Sequence, residues 1–183
     1  MLKLAIVGMV SLLLSTATSI GEFDFPQHHS HSKITYETLP RDIRAQVDCL
    51  ATNIYFEANN QSEKGQKAVG LVTMNRVYSK EFPKSVCSVV KQQNAKVCQF
   101  SWWCNSKLKA KAIAQRFRGA EEEVFEDIRS LATWIFLYHH KIEDVTNGAT
   151  FYHATYVNPR WRGVEKTVRI EDHIFYRKNQ RPN

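Results

Sequence analysis

Pro40-Arg41-Asp42-Ile43-Arg44-Ala45-Gln46-Val47-Asp48-Cys49-Leu50-Ala51-Thr52-Asn53-Ile54-Tyr55-Phe56-Glu57 is the stretch whose reading decides the fold. Pro40 suits the first turn of a helix, where a missing N–H is no loss. Ile43, Val47, Leu50 and Ile54 then recur at the spacing of one helical face. Continuing that stripe reaches Glu57, so an acid falls on the buried side near the helix C-terminus. Desolvation and the negative end of the helix dipole both push such a carboxyl's pKa up. A glutamic acid that stays protonated near neutrality can act as a general acid. The plainer reading is a helix-terminal ion pair with one of the chain's many Lys and Arg side chains.

Working outward, Ser62 caps a second helix to about Tyr78, with Val69, Val72 and Val77 inward and Asn75 bordering the same face. Residues 84–92 form a short amphipathic segment, 98–105 an ordered aromatic loop, and 107–117 a helix. The strongest helical pattern covers 121–141, with Val124, Ile128, Leu131, Ile135 and Tyr138 as its stripe and three acids in its first turn. Past Gly148 the texture turns β-branched and aromatic. Residues 149–157 and 167–176 read as a small antiparallel sheet. Helices first and strands last give an α+β class: a mainly helical domain with a small C-terminal antiparallel sheet.

The 183 residues leave room for one domain, and 43% hydrophobic side chains supply a core. Residues 1–19 read as a signal peptide, with Lys3, the apolar run 4–14 and the small residues Ala17-Thr18-Ser19. The alternative is a retained anchor, yet that run falls short of the roughly 20 residues a bilayer span needs. Residues 20–39, carrying His28, His29 and His31, read as a polar linker, and 40–183 as the catalytic domain. The remainder is expected to be exported, to periplasm, envelope or medium, and to be soluble with no stable membrane insertion. In such a compartment Cys49, Cys87, Cys98 and Cys104 form two disulfides, with three connectivities open. The favoured pairing joins Cys87 to Cys98 and Cys49 to Cys104, because Cys98 and Cys104 flank a stiff aromatic stretch.

Several ordered blocks carry a resemblance: the tract from Cys49 through Glu57-Ala58, Gly65-Gln66-Lys67-Ala68-Val69, Asn75-Arg76-Val77, Phe82-Pro83-Lys84-Ser85-Val86-Cys87 and Gln99-Phe100-Ser101-Trp102. The tail adds Phe151-Tyr152-His153-Ala154-Thr155-Tyr156-Val157-Asn158-Pro159-Arg160-Trp161 and Ile170-Glu171-Asp172-His173-Ile174-Phe175-Tyr176. Together they resemble the SleB-type cell-wall hydrolases. The resemblance implies a lysozyme-like or transglycosylase-like domain that cleaves peptidoglycan between N-acetylmuramic acid and N-acetylglucosamine, with no cofactor and no metal. It matches the catalytic acid to Glu57. Where members show Glu-Ala-Arg-Gly-Glu, this chain has Glu57-Ala58-Asn59-Asn60-Gln61, so the second acid is lost. Ordinary glycosidases flank the bond with two carboxylates. One acid alone favours lytic transglycosylation, in which the sugar's own hydroxyl attacks. Glu63 and Asp48 are the remaining candidates for a second carboxylate.

Around the acid, Asn75 is expected as an orienting or sugar-binding amide and Ser101 as a hydroxyl contact. Trp102, Tyr152, Tyr156 and Trp161 offer flat apolar faces for sugar rings. The competing readings are a backbone-satisfied Asn, a turn Ser and core aromatics. His139, His140, His153 and His173 raise a zinc amidase as a rival, but no His pair stands one helical turn apart. A noncatalytic wall-binding module is the other rival. The net charge of +7 suits an anionic polymer, yet Lys and Arg are scattered and no nucleic-acid motif accompanies them. The expected partner is therefore the peptidoglycan strand and no nucleic acid.

Overall fold

The structure, a computed structural model, describes residues 34–95 and 97–179. The expected signal peptide and most of the expected linker lie outside the described residues. The last linker residues are folded: a 3₁₀ turn at Tyr36–Thr38 seats Leu39 in the core, and the Tyr36 hydroxyl donates to Asp48 Oδ2 at 2.8 Å. The folded unit thus starts ahead of Pro40, because Tyr36 and Leu39 have apolar surface to bury.

Among the described residues six α-helices follow: α1 (Arg41–Ala58), α2 (Glu63–Tyr78), α3 (Val86–Val90), α4 (Ser101–Cys104), α5 (Ser106–Ala114) and α6 (Ala120–Tyr138). Three strands close the chain: β1 (Phe151–Ala154), β2 (Val164–Ile170) and β3 (His173–Lys178). This is the α+β arrangement, helical first and antiparallel last. Among the described residues, no helix is long and apolar enough to cross a membrane.

The α1 stripe buries Val47, Leu50 and Ile54 against α2, α3 and α6. In α2 burial runs all round, through Ala68, Val69, Gly70, Leu71, Val72, Thr73 and Met74, as expected of a central helix. Gly70 permits the close crossing: a Cβ there would stand 2.7 Å from Ile135 Cδ1 of α6 and 3.0 Å from Ile54 Cδ1 of α1. On α6 the buried face is Phe125, Ile128, Ala132 and Ile135, whereas Val124 and Tyr138 of the expected stripe are exposed. Phe125 of that face stacks on Phe117 at 4.0 Å and meets Tyr55 of α1 at 5.9 Å.

The cysteine pairing differs from the favoured one: Cys49 joins Cys87, and Cys98 joins Cys104. Gln46 Oε1 on α1 accepts from the Cys87 N–H at 3.0 Å, which brings α3 to the cysteine of α1. The aromatic stretch is not stiff but coiled into α4, so its two flanking cysteines meet with Cα atoms 5.8 Å apart.

The sheet runs β1-β3-β2, antiparallel throughout. The expected single strand over 167–176 is two, β2 and β3, separated by a tight turn at Glu171-Asp172, where Glu171 adopts φ of 48°. Asp172 alone is a weak turn signal, and Glu171, which takes the left-handed conformation, gives none. Tyr152 pairs with Phe175, and their face packs with Ala68, Val72, Ala149 and Ile170 as a second, smaller core.

Candidate active site

Glu57 lies one residue from the end of α1, on the side where Ile54 is fully buried. Its Oε2 accepts a hydrogen bond from the Tyr152 hydroxyl at 3.0 Å. Burial lifts the carboxyl above its ordinary value. The Tyr152 hydrogen bond and the charge of Arg76 pull it down, and burial prevails. Tyr152 in turn has its pKa pushed well up by burial and by Glu57, so its hydroxyl remains a donor.

Arg76 comes from α2 and is only 3% exposed. Its Nε donates to Thr150 O at 2.7 Å, just ahead of β1, and its guanidinium lies over Phe82 and Phe100 at 5.4 and 5.0 Å. Nη1 is buried without a partner. Burial lowers its pKa to about 10, with Tyr152 and Glu57 acting the other way, so it stays cationic at neutral pH. The groups that pull the Glu57 carboxyl down against burial are the Tyr152 phenol and this guanidinium. Asp48 is occupied with Tyr36, and Glu63 is exposed in the first turn of α2. A desolvated carboxyl with one phenolic donor and one buried cation nearby can release a proton and hold the resulting charge.

Tyr152 is positioned by β1 and by two neighbouring rings of β3, His173 at 5.3 Å and Phe175 at 5.7 Å. The β2–β3 turn is fastened to the α1–α2 junction. Ser62 N–H donates to Glu171 Oε2 at 3.0 Å, and Ser62 Oγ bonds the same carboxylate. Gln61 Nε2 donates to Asp172 Oδ2 at 3.2 Å and Gln61 Oε1 accepts from Asp172 N–H at 3.3 Å. The Gln that replaces the second acid of the resembling motif is thus part of this fastening. The junction that ends Glu57's helix thereby holds the hairpin that carries Tyr152's neighbours.

Of the residues singled out from sequence, the structure brings Glu57 and Tyr152 into contact. Asn75 turns its amide to the segment before β1, donating to Asp144 Oδ2 at 2.9 Å and Ala149 O at 3.0 Å. Against burial, bonds from Thr146 and Asn75 hold the Asp144 carboxyl below its ordinary value. Trp102 is 4% exposed, stacks on Phe56 at 4.8 Å, and donates from Nε1 to Asn53 Oδ1 at 3.0 Å. Asn53 passes the bonding on, donating to Thr73 Oγ1 at 3.2 Å. Ser101 is exposed at the start of α4. Tyr156 and Trp161 are exposed, in the link between β1 and β2.

Sequence reasoning missed Arg76 and Asn53. Both sat on helices read for apolar spacing alone, and their only signal was a polar residue among buried neighbours. A hollow lined by Asp48, Thr52, Val90, Trp102, Trp103 and Ile113 opens beside α1, and Glu57 is not in its lining. The histidines are dispersed in role: His153 contacts Ala154 O and the Tyr176 hydroxyl through its two ring nitrogens, and His173 packs on Tyr152. Among the described residues, no group of three His, Cys, Asp or Glu side chains is placed to hold a metal ion.

A family model described as Cell Wall Hydrolase matches residues 60–176. The match takes in Arg76, Tyr152 and the Glu171-Asp172 turn and begins just past Glu57. The crystal structure of the catalytic domain of the Bacillus cereus SleB protein is similar at 21% identity and a TM-score of 0.49, covering 72% of this chain and 89% of that one. No curated protein matches the sequence.

Proposed function

The chain belongs to the cell wall hydrolase family and so acts on peptidoglycan, and we propose that it is a lytic transglycosylase with Glu57 as both acid and base. The observation that carries this reading is the Glu57 carboxyl itself, raised by burial and held by Tyr152 and Arg76, with Gln61 standing where the resembling motif has its second acid. A retaining or inverting glycosidase employs a second carboxyl within about 10 Å, as nucleophile or to activate water. A transglycosylase needs neither.

In the proposed reaction, protonated Glu57 gives its hydrogen to the glycosidic oxygen between N-acetylmuramic acid and N-acetylglucosamine. The bond from that oxygen to the muramyl C1 breaks. The carboxylate left behind sits in a poorly solvated place, where the Tyr152 O–H and the Arg76 charge stabilise it. It then takes the proton from the muramyl C6 hydroxyl as that oxygen bonds to C1. The product is a 1,6-anhydro end, and Glu57 is again protonated. The attacking group belongs to the substrate, so no water has to be ordered, and the intramolecular attack carries the usual entropic advantage. Export through residues 1–19 as a cleaved signal belongs to the same reading, as does action without a cofactor.

Mass spectrometry of muropeptides released from purified sacculi tests it. Anhydro ends lack one water relative to hydrolysed ends. Glu57→Gln should lower turnover by about 10²- to 10⁴-fold, the usual contribution of acid assistance, and a chelator should change nothing. Reducing ends alone would make the enzyme a muramidase. Turnover retained in Glu57→Gln would move the acid elsewhere, and loss in chelator with release of free peptides would favour an amidase.

A further inference from the structure

Side chains alternate across a strand, so Phe151 and His153 face away from the side on which Tyr152 meets Glu57. Tyr176, opposite Phe151 in the register, shares that outer face. Trp161 rests there, its ring 5.9 Å from Phe151, 5.5 Å from His153 and 5.6 Å from Tyr176, and still 44% exposed. Tyr156, in the same link between β1 and β2, is 89% exposed. Arg160 and Arg162 flank Trp161 in sequence and are exposed. Among the described residues neither forms an ion pair, whereas Arg177 pairs with Glu165 and Lys178 with Glu81. The segment 155–163 contains no acid of its own.

Within this one exposed segment two partly or fully open aromatic rings share nine residues with two guanidinium groups that form no ion pair among the described residues. Flat rings pack against the C–H faces of pyranose rings while their polar tips meet hydroxyls. A guanidinium fork takes a carboxylate bidentately. A strand of amino sugars bearing peptides that end in carboxylates presents both groups in alternation. We propose that residues 155–163 are a wall-anchoring surface that holds peptidoglycan by its sugar rings and stem-peptide carboxylates, on the opposite face of the sheet from Glu57. The inference rests on membership in the cell wall hydrolase family and not on the role of Glu57.

Co-sedimentation of the whole protein with purified sacculi, with turnover measured on sacculi and on soluble glycan fragments, tests it. Arg160→Gln/Arg162→Gln alters only exposed side chains and leaves the fold intact. It should weaken sacculus binding about tenfold, the loss typical of removing well-placed Arg contacts. The ratio of kcat/KM on sacculi to kcat/KM on fragments should fall by a similar factor. Trp161→Ala, with its folding checked by thermal melting, should do the same through the sugar contact. An unchanged dissociation constant, an unchanged ratio, or a variant that loses affinity for double-stranded DNA but not for sacculi would overturn the proposal. Failure of the Glu57 reading has another signature: turnover persists in Glu57→Gln, whatever the binding.

Discussion

Alanine at Gly65 tests how tightly the C-terminal hairpin is seated on the helices. A Cβ built there stands 2.8 Å from Gln61 Cβ and 2.9 Å from Glu171 Oε2. Gln61 Cβ has little room to yield, since the Gln61 N–H bonds Ala58 O at 3.0 Å and its carbonyl accepts from Gln66 Nε2 at 3.2 Å. Glu171 can swing aside only by loosening its grip on the Ser62 N–H and hydroxyl. Replacing Gly by Ala within a helix gains up to about 1 kcal/mol from propensity. Against that stand an overpacking cost of about 1–3 kcal/mol and a weakened, exposed charge-assisted hydrogen bond near the lower end of its range. The balance is a loss of about 1.5–3.5 kcal/mol. At roughly 2–4 °C per kcal/mol for a chain of this size, Tm should drop by about 3–14 °C. Thermal unfolding followed by circular dichroism measures it, and turnover should fall in parallel as β3 shifts beneath Tyr152. In a Glu171→Ala background Gly65→Ala should cost less, because one of the two obstructions is gone. A Tm that rises in the single variant would mean that propensity wins and the hairpin is not in contact.

Three further outcomes follow from the site and its surroundings. Arg76 holds the Glu57 pKa down, so Arg76→Gln should move the alkaline limb of the pH–rate profile to higher pH and lower kcat, with Arg76→Lys restoring most of both; a limb that stays put while Tm falls would make the arginine structural. Trp102→Phe keeps the ring over Phe56 but strands Asn53 Oδ1, which is fully buried, and should cost about 1–3 kcal/mol in denaturant unfolding. Burial lowers the pKa of His173 below its ordinary 6.5. The unfolded chain therefore binds the extra proton first, and stability is lost as pH falls from about 6.5 toward the folded value. His173→Gln should flatten Tm against pH in that window, and an unaltered slope would assign the dependence elsewhere.

The helical half of the molecule was legible in apolar spacing, because long helices packed on a common core repeat their pattern several times. Glu57 could be placed for the same reason: the stripe through Ile43, Val47, Leu50 and Ile54 leads to it. What escaped was set by contacts between distant segments. The turn at Glu171-Asp172 has no glycine or proline to announce it and exists because Gln61 and Ser62 receive it. Arg76 acquires its importance from Thr150 and Tyr152, far along the chain. The α6 face includes Phe125 because rings outside the helix, Phe117 and Tyr55, pack against it. Trp102 is an aromatic with a polar tip that suits a sugar or a buried amide equally well, and the choice was made by Asn53 on another helix.

The cysteine connectivity has a consequence for biogenesis. Cys49 with Cys87 and Cys98 with Cys104 are consecutive, non-overlapping pairs. In a polypeptide threaded N-terminus first into an oxidising compartment, each thiol meets its correct mate before the following one arrives. Under the export proposed above, an oxidant that joins neighbours in order of emergence yields these bonds without reshuffling.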